Sequence, residues 1–390
     1  MDFGVIDLEP AQLDFWHDVD AFLDEHVTAE VHDEEERTGS GHNQAVHEAL
    51  GARGWIMPTW PIDEGGAALD EVRAHILQLE LDRHSLPNVT IATTGMTTAV
   101  VRANGNDALK AAVLPGVASG SIKICLGYTE PDGGSDLAGV RTRATRVDGG
   151  WVINGAKMFT TGAHNCQYSM LVTRTNPEAP KHRGITVFLV PLDGPGVEIQ
   201  PVHTLGGERT NAVFYDNVFI DDDHRLGPVD GGWAVMSAPL DSEHGIKDAN
   251  GLAEISGGTQ YGMTLRKLLW HATKWAKTPD VDGVRPFDDR VVRVALAEIA
   301  LDLEVIRNAK GPMGRVLASE KLIQRAAELL DLVGVDGVLP KGTTGAVEDG
   351  ILEWGNRFAQ GTAIYGGTTD IARNVIAQHT LGLPRPPKIG

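Results

Sequence analysis

Two short segments in the middle of the chain combine residue types that can hold a ligand. The first, Tyr128–Asp136, leaves a predicted strand and enters a turn with two glycines and three hydroxyl side chains. Glycines let a backbone approach a planar ring or a phosphate closely, and Thr or Ser hydroxyls can donate to ring heteroatoms or to an acyl carrier. A glycine-rich loop alone is more often an ordinary hairpin, so this segment indicates a site only together with other signals.

The second segment, Trp151–Gly162, predicts a strand, a turn and a second strand that ends in an aromatic residue and two threonines. Near the other end of the chain, Tyr365–Ile371 places two glycines directly before a predicted helix that begins with two threonines. Each segment is a weak signal by itself, and the three carry weight only because they occur in one chain.

Taken together, the three segments resemble the acyl-CoA dehydrogenase family. Its members carry Thr-Glu-Pro-x-x-Gly-Ser-Asp, then Asn-Gly-x-Lys-x-(aromatic)-x-Thr at this separation, and a penultimate motif that Tyr365–Ile371 matches. The resemblance covers nearly the whole chain and implies an α+β fold with an N-terminal helical domain, a middle antiparallel β domain and a C-terminal helical bundle. It also implies FAD as the cofactor, an acyl-CoA thioester as the substrate and an electron-transfer flavoprotein as the electron acceptor.

Position within these motifs implies roles for individual residues. In the family, the residues equivalent to Tyr128 and Thr129 face the flavin ring, Phe159 packs on it, and Thr161 donates a hydrogen bond to it. The residue equivalent to Ser135 lies near the pantetheine arm of the substrate. The implied flavin contacts are Tyr128, Thr129, Ser135, Phe159, Thr161 and Thr368.

The reaction of this family needs a carboxylate beside the acyl α-carbon, because a proton leaves there while a hydride leaves the β-carbon for flavin N5. Many members carry that glutamate directly after the tyrosine of the penultimate motif, where this chain has Gly366. In the isovaleryl-CoA type it comes instead from the first long helix of the C-terminal domain, and Glu243 falls at that position. The resemblance favours Glu243 as the base over an ordinary solvated carboxylate, with Asp241 and His244 beside it as substrate contacts.

A glycine at position 366 keeps its backbone N–H. In the family this amide and a flavin ribityl hydroxyl hold the thioester carbonyl and stabilise the enolate, so Gly366 is expected to act as the oxyanion donor. The missing side chain also leaves room beside the α-carbon. By analogy, this room favours a bulky or branched acyl group, such as a steroid side chain.

Two departures from the family pattern concern assembly. Relatives that form homotetramers usually carry Arg-x-x-Phe-Gly, whose arginine reaches the FAD pyrophosphate of a neighbouring subunit, but residues 275–289 lack this motif. The Gly-Gly-x-Gly near the adenine is reduced to Gly334 and Gly337. Both losses fall on elements that face a neighbour. They predict a homologous, non-identical partner in an α2β2 assembly, with Arg285 as an alternative source of the missing charge.

The elements that must position these residues follow from hydrophobic periodicity. Helical spacing predicts an N-terminal α-helical domain over residues 1–120 and a C-terminal bundle over residues 229–390. Short β-rich runs bounded by glycine and proline predict an antiparallel sheet or small barrel over residues 121–228. The predicted strands are 122–129, 140–147, 151–157, 185–192 and 212–220, and the predicted C-terminal helices are 233–277, 289–308, 312–332, 347–360 and 368–381.

The composition excludes several classes of protein. With 34 Lys and Arg against 53 Asp and Glu, the net charge of -19 disfavours binding to nucleic acid or to an anionic membrane surface. Cys125 and Cys166 lie in apolar runs without metal-ligand spacing, so we expect neither a disulfide nor a metal site. The sequence shows no long apolar run and no basic leader, so a cytoplasmic location is expected.

Two other functions remain open at this point. The chain could be a non-catalytic subunit that completes the FAD site of a partner, although the ring-side motifs and Glu243 argue against a decayed site. It could also be an acyl-CoA oxidase or a flavin monooxygenase on the same fold, because access of oxygen to the flavin depends on a pocket volume that motifs do not specify.

Overall fold

A computed structural model describes residues 7–236, 259–309 and 311–384 of the chain. Contacts divide the chain into two compact units, Met1–Pro239 and Leu240–Gly390. The first unit contains helices followed by a sheet, and the second contains helices, which confirms the predicted α+β order. Asp241, Glu243 and His244 lie outside the described residues.

Three helices of the first unit begin at polar side-chain caps. Asn43, Asp70 and Asn106 each accept a hydrogen bond from a backbone amide in the first turn of the helix that follows, as polar N-caps do. Pro10 opens the first helix, where its missing N–H costs nothing. The helices are α1 (Pro10–His26), α2 (Ala29–Thr38), α3 (Gln44–Ala52), α4 (Glu71–Arg83), α5 (Val89–Asn104) and α6 (Asp107–Ala118).

The first unit also contains one sheet. Its strands are β1 (Ile124–Gly127), β2 (Arg143–Val147), β3 (Gly150–Lys157), β4 (Tyr168–Arg174), β5 (Ile185–Pro191), β6 (Val197–His203), β7 (Arg209–Asp221) and β8 (Arg225–Leu226). The strand order is β6-β7-β3-β2-β4-β5-β8, with β1 beside β4. Most neighbours are antiparallel, as predicted, but β1 runs parallel to β4, and β2 meets β4 in parallel at a single residue pair.

Three of these strands were missing from the predicted set. Strand β4 is buried on both faces, so it lacks the alternation of apolar and polar residues that marks a half-buried strand. Strand β6 contains Pro201, which weakens a strand pattern, and β8 has only two residues.

A β-bulge bends β3 and β7 where they pair. The register shifts between Ile153 and Gly155, so that Asp216 and Asn217 oppose Asn154 alone. Asn154 Oδ1 accepts from the Asn217 amide at 2.9 Å, and Asn217 adopts a φ of 52°. Bulges change the direction of the residues that follow them. Here the bend precedes the end of β3, after which residues 158–162 form the loop of the second predicted segment.

The second unit is a helical bundle built on leucines. Leu265, Leu268, Leu296 and Leu322 are all at most 5% exposed and share one core. A Cβ on Gly355 would lie 2.4 Å from a Leu268 methyl, so this glycine allows two helices to approach closely. The helices are α7 (Thr259–Lys277), α8 (Arg290–Asn308), α9 (Gly311–Val333), α10 (Ile351–Gly361) and α11 (Thr369–Val375), which continues into a π-helical turn (Ile376–Thr380).

A buried histidine in the first unit makes its stability depend on pH. His47 on α3 is 2% exposed, and neither ring nitrogen has a hydrogen-bond partner among the described residues. Burial lowers the pKa of His47 from 6.5 to about 3. Between these two pH values the unfolded chain binds a proton at His47 and the folded chain does not, so protonation favours unfolding.

We therefore expect the urea midpoint of unfolding to fall as the pH is lowered from 6.5 towards 5, and His47→Leu to make this fall shallower. The matched control is His17→Leu, which makes the same substitution at an exposed position on α1. An equally steep fall in wild type and His47→Leu would contradict this assignment.

Candidate functional site

The two ligand loops that the sequence singles out lie side by side in the first unit. The loop after β1 runs next to the end of β3, and the Met158 amide donates to the Thr129 carbonyl at 2.8 Å. Glu130 and Gly133 close the turn of this loop by exchanging backbone hydrogen bonds of 3.0 and 3.1 Å. The structure thus brings together the motifs at 128–136 and 151–162.

A buried ion pair fastens the first loop to the sheet. Lys157 Nζ, at the end of β3, donates to Glu130 Oε1 at 2.9 Å and to the Tyr128 carbonyl at 3.1 Å. Glu130 also accepts from the backbone amides of Arg141 and Thr142 at 2.7 and 2.8 Å. The side chains of Lys157 and Glu130 are 0% and 8% exposed, so water does not replace these contacts.

Both members of this pair are charged at neutral pH. Burial would raise the pKa of Glu130, but the Lys157 ammonium and the hydrogen bonds from Lys157 and Thr142 bring this pKa below its ordinary value. Complete burial lowers the pKa of Lys157 to about 8, against the attraction of the Glu130 carboxylate. The pair therefore carries both charges at neutral pH, and it loses the charge of Lys157 as the pH rises above about 8.

The second loop presents an aromatic ring on a strained backbone. Phe159 is 61% exposed and has a φ of 58°, a left-handed conformation that costs a non-glycine residue about 1–3 kcal/mol. The next residue is held to β7, because the Thr160 amide donates to the Asn211 carbonyl at 2.8 Å and Asn211 Nδ2 donates to the Thr160 carbonyl at 3.0 Å. These two bonds keep the ring in its exposed position.

Hydroxyl groups accompany the ring. Thr161 Oγ1 lies 3.1 Å from Thr210 Oγ1 on β7, and 3.5 Å from the Phe159 carbonyl, which is long for an O–H···O bond. Since one hydroxyl hydrogen is enough for the Thr161–Thr210 contact, the other can donate to a bound group. Thr129 and Thr161 are both only half-buried.

A neutral histidine supports this loop from behind. His164 Nδ1 lies 3.2 Å from Asn211 Nδ2, and its Nε2 lies 3.2 Å from Ser40 Oγ after α2. Burial, with the nearby Arg209 cation, lowers the pKa of His164 to about 4. The chain of contacts links the N-terminal helices to the loop that carries Phe159.

The remaining predicted site residues are distributed as follows. Ser135 is exposed on the first loop, next to Asp136, whose carboxylate binds Lys181 at 2.8 Å. Gly366 and Thr368 belong to the second unit, between α10 and α11. Thr368 Oγ1 accepts from the Ile371 amide at 3.1 Å and thereby caps α11.

The residues implicated in the missing cofactor contacts have local structural roles. The Arg285 guanidinium binds Asp288 at 2.8 Å on an exposed turn. Gly334 follows the end of α9, where its amide donates to the Leu330 carbonyl at 2.8 Å. Neither contact involves a residue of the two ligand loops.

Several residues of the site were not predicted from the sequence. Thr210, Asn211 and His164 all lie outside the three motifs. The available signal was a lysine, Lys157, inside a β-rich run with a glutamate, Glu130, in the preceding motif, because a cation in a sheet core needs a carboxylate partner.

Comparison with known proteins identifies the family. Residues 9–121, 125–218 and 308–381 match the N-terminal, middle and C-terminal domains of acyl-CoA dehydrogenase. The acyl-CoA dehydrogenase FadE29 of Mycobacterium tuberculosis is 30% identical over 405 residues, which cover 98% of this chain and 100% of the relative. The chain belongs to the acyl-CoA dehydrogenase family, and FAD-dependent dehydrogenation of acyl-CoA is consistent with this membership.

Solved structures agree with the family. A chain of the ChsE4–ChsE5 complex from Mycobacterium tuberculosis superposes with a TM-score of 0.83 at 27% identity, covering 98% of this chain and 100% of that one. A chain of the Tcur3481–Tcur3483 steroid ACAD gives a TM-score of 0.84 at 28% identity, covering 99% and 100%. Family membership implies a flavin cofactor.

None of the helices in the described part of the chain is both long and apolar enough to cross a membrane.

The buried pair leads to a stability prediction. Glu130→Gln leaves the Lys157 ammonium buried without its counter-charge, so we expect a loss of about 3–5 kcal/mol in the free energy of unfolding, measured with urea. Glu130→Gln/Lys157→Met removes both charges and should recover part of this loss.

The matched control is Asp132→Asn on the same loop. Asp132 pairs with Arg141 at 3.0 Å, but the two side chains are 70% and 76% exposed, so its loss should cost less than about 1 kcal/mol. Equal costs for Glu130→Gln and Asp132→Asn would show that burial does not distinguish the two pairs.

Proposed function

We propose that this chain binds FAD against the two ligand loops and catalyses α,β-dehydrogenation of an acyl-CoA thioester. The observation that carries the proposal is the group formed by Phe159, Thr129 and Thr161. An exposed aromatic ring and two threonine hydroxyls are held on adjacent loops that the buried Lys157–Glu130 pair fixes to the sheet. Flavin presents a planar ring with heteroatoms at its edge, which suits an aromatic face flanked by hydroxyl donors.

The fit to a flavin also rests on the backbone. Phe159 would gain nothing from a strained, exposed conformation in a folded protein without a ligand, and such strain persists where function requires it. The residues that would hold the cofactor are Tyr128, Thr129, Ser135, Phe159 and Thr161 in the first unit and Thr368 in the second. Bound FAD would supply the hydride acceptor for the acyl β-carbon.

We assign the base to Glu243. Gly366 stands where many relatives carry the glutamate, and its φ of 63° is a conformation that favours glycine over residues with a Cβ. The Glu243 carboxylate would take the α-proton, while the Gly366 N–H would hold the thioester oxygen and stabilise the enolate charge. Asp241 and His244 are proposed to contact the substrate beside it.

We propose a bulky acyl group, such as a steroid side chain, as the substrate. Gly366 occupies less volume than the glutamate of other members, which leaves room beside the α-carbon. The similarity to a complex described as a steroid ACAD supports this substrate class.

We propose that the functional assembly contains a homologous, non-identical subunit. The Arg-x-x-Phe-Gly motif is missing, and Arg285, its possible substitute, is already paired with Asp288. Two similar structures are complexes of two different chains. An apolar stripe on α8, in which Val291 and Leu301 are 67% and 65% exposed, is suited to contact another subunit. An electron-transfer flavoprotein is the proposed electron acceptor.

The base can be tested with Glu243→Gln. We expect bleaching of the flavin by a steroid-side-chain acyl-CoA to slow by about 10²–10⁴-fold, because general-base catalysis contributes this much, while the thioester still binds. Glu304→Gln, an exposed carboxylate on α8, is the matched control and should react like wild type. Bleaching that is unchanged in Glu243→Gln would remove Glu243 from the reaction.

The partner can be tested through flavin content. We expect the chain expressed alone to be colourless, and to become yellow when it is produced together with a homologous partner chain, because a pyrophosphate without its cation binds weakly. A pure homo-oligomer with one FAD per subunit would contradict the proposal that a non-identical subunit completes the FAD site.

Rapid reoxidation of the reduced assembly by air would indicate an oxidase rather than a dehydrogenase.

A further inference from the structure

A buried arginine lies under the turn that carries Gly366. Arg315, on α9, is 6% exposed, and its Nη2 donates to the Tyr365 carbonyl at 2.5 Å and to the Gly367 carbonyl at 3.3 Å. The guanidinium also stands 4.6 Å from the centre of the Tyr261 ring, a cation–π contact that fixes its orientation. Arg315 thus binds the backbone on both sides of Gly366.

The Tyr365 carbonyl and the Gly366 N–H belong to the same peptide group. A peptide group is planar and almost always trans, so its C=O and N–H point in opposite directions. A donor that fixes the carbonyl oxygen on one side therefore fixes the direction of the N–H on the other. Arg315 therefore sets the orientation of the Gly366 N–H, which is the group proposed to hold the thioester oxygen.

The turn needs such a constraint. Gly366 and Gly367 have φ values of 63° and 79°, and two successive glycines have more backbone freedom than any other pair of residues. One helical turn along α9 from Arg315, Ser319 Oγ lies 3.0 Å from Thr362 Oγ1, at the start of the same turn. Ser319 therefore holds the beginning of the turn, and Arg315 holds the peptide groups around Gly366.

Charge adds a second effect. A cation that donates to a carbonyl oxygen draws electron density from the amide nitrogen, so the N–H of that peptide group becomes a stronger donor. None of the carboxylates in the described part of the chain pairs with Arg315, and its Nη1 has no hydrogen-bond partner there. Among the described residues, the guanidinium contacts the carbonyls of Tyr365 and Gly367 and the ring of Tyr261.

We infer that Arg315 is a positioning residue that orients and polarises the Gly366 amide for the enolate oxygen of the substrate. This inference rests on the proposed role of Gly366. The enolate carries more negative charge on oxygen than the thioester does, so the effect of Arg315 should be larger in the transition state than in the bound substrate. A loss of Arg315 should then lower kcat more than it raises KM.

The test uses the flavin-loaded assembly with Arg315→Gln and Arg315→Lys. Gln can still donate one hydrogen bond to the Tyr365 carbonyl but carries no charge, whereas Lys keeps the charge. We expect kcat to fall by about 10²-fold in Arg315→Gln and by less than about 10-fold in Arg315→Lys, with KM within about threefold of wild type in both.

A second readout separates this role from a structural one. A 3-thia-acyl-CoA has an acidic α-proton, and titration of its bound enolate by absorbance measures oxyanion stabilisation without turnover. We expect the pKa of the bound analogue to rise by about 2 units in Arg315→Gln, the equivalent of the 10²-fold effect on kcat. Ser319→Ala, which loosens the same turn without touching the peptide group of Gly366, should leave this pKa unchanged.

Each result decides the inference. Wild-type kcat and analogue pKa in Arg315→Gln would overturn it, and so would an equal pKa shift in Ser319→Ala, because the effect would then come from loosening the turn. If Arg315→Gln does not fold, Arg315→Lys decides through the same two readouts: a fall in kcat of less than about 10-fold with a raised analogue pKa, and Ser319→Ala equal to wild type, supports the inference, and wild-type values of both overturn it. Failure of the proposed function would be recognised separately, since Glu243→Gln would then bleach as fast as wild type.

Discussion

The ion pair between Lys157 and Glu130 is the contact on which the rest of the ligand loops depends. Removing two charges from water costs several kcal/mol per ion, and their attraction offsets this cost only when further hydrogen bonds complete both groups. Here the Lys157 ammonium also donates to the Tyr128 carbonyl, and the amides of Arg141 and Thr142 donate to the Glu130 carboxylate. A shift of the loop along the sheet would leave a buried charge without a partner, so its position is fixed within a narrow range.

The residues proposed to contact the flavin are direct chain neighbours of this pair. Thr129 precedes Glu130, and Phe159 follows Lys157 by two positions. The ion pair therefore restricts the positions of Thr129 and Phe159, because only one or two peptide bonds separate them from it. The strain at Phe159 is offset on the other side by the two hydrogen bonds between Thr160 and Asn211. Loops that carry function on a rigid sheet can in this way be held as firmly as the strands themselves.

Sequence reasoning could reach the order of the elements and the two ligand loops, because periodicity and motifs are local properties of the chain. It could not reach the contacts behind them. Asn211 supports Thr160 from 51 positions away, and Ser40 supports His164 from 124 positions away. Nothing in the neighbourhood of either residue specifies such a partner. Likewise, Arg315 on an amphipathic helix is typical of a solvated cation until the turn at Tyr365 folds onto it.

In each unit, a buried cation holds a segment of the proposed site by its backbone. Lys157 binds the carbonyl of Tyr128, and Arg315 binds the carbonyl of Tyr365, in each case from a buried position on a regular element. A carbonyl is present whatever the side chain is, so a segment held by its backbone can change its side chains without losing its position. A glycine can therefore stand at position 366, where many members carry the glutamate, while Arg315 still holds the carbonyls on both sides of it. The proposed base can then come from another helix, because the proposed oxyanion donor is the backbone N–H of Gly366.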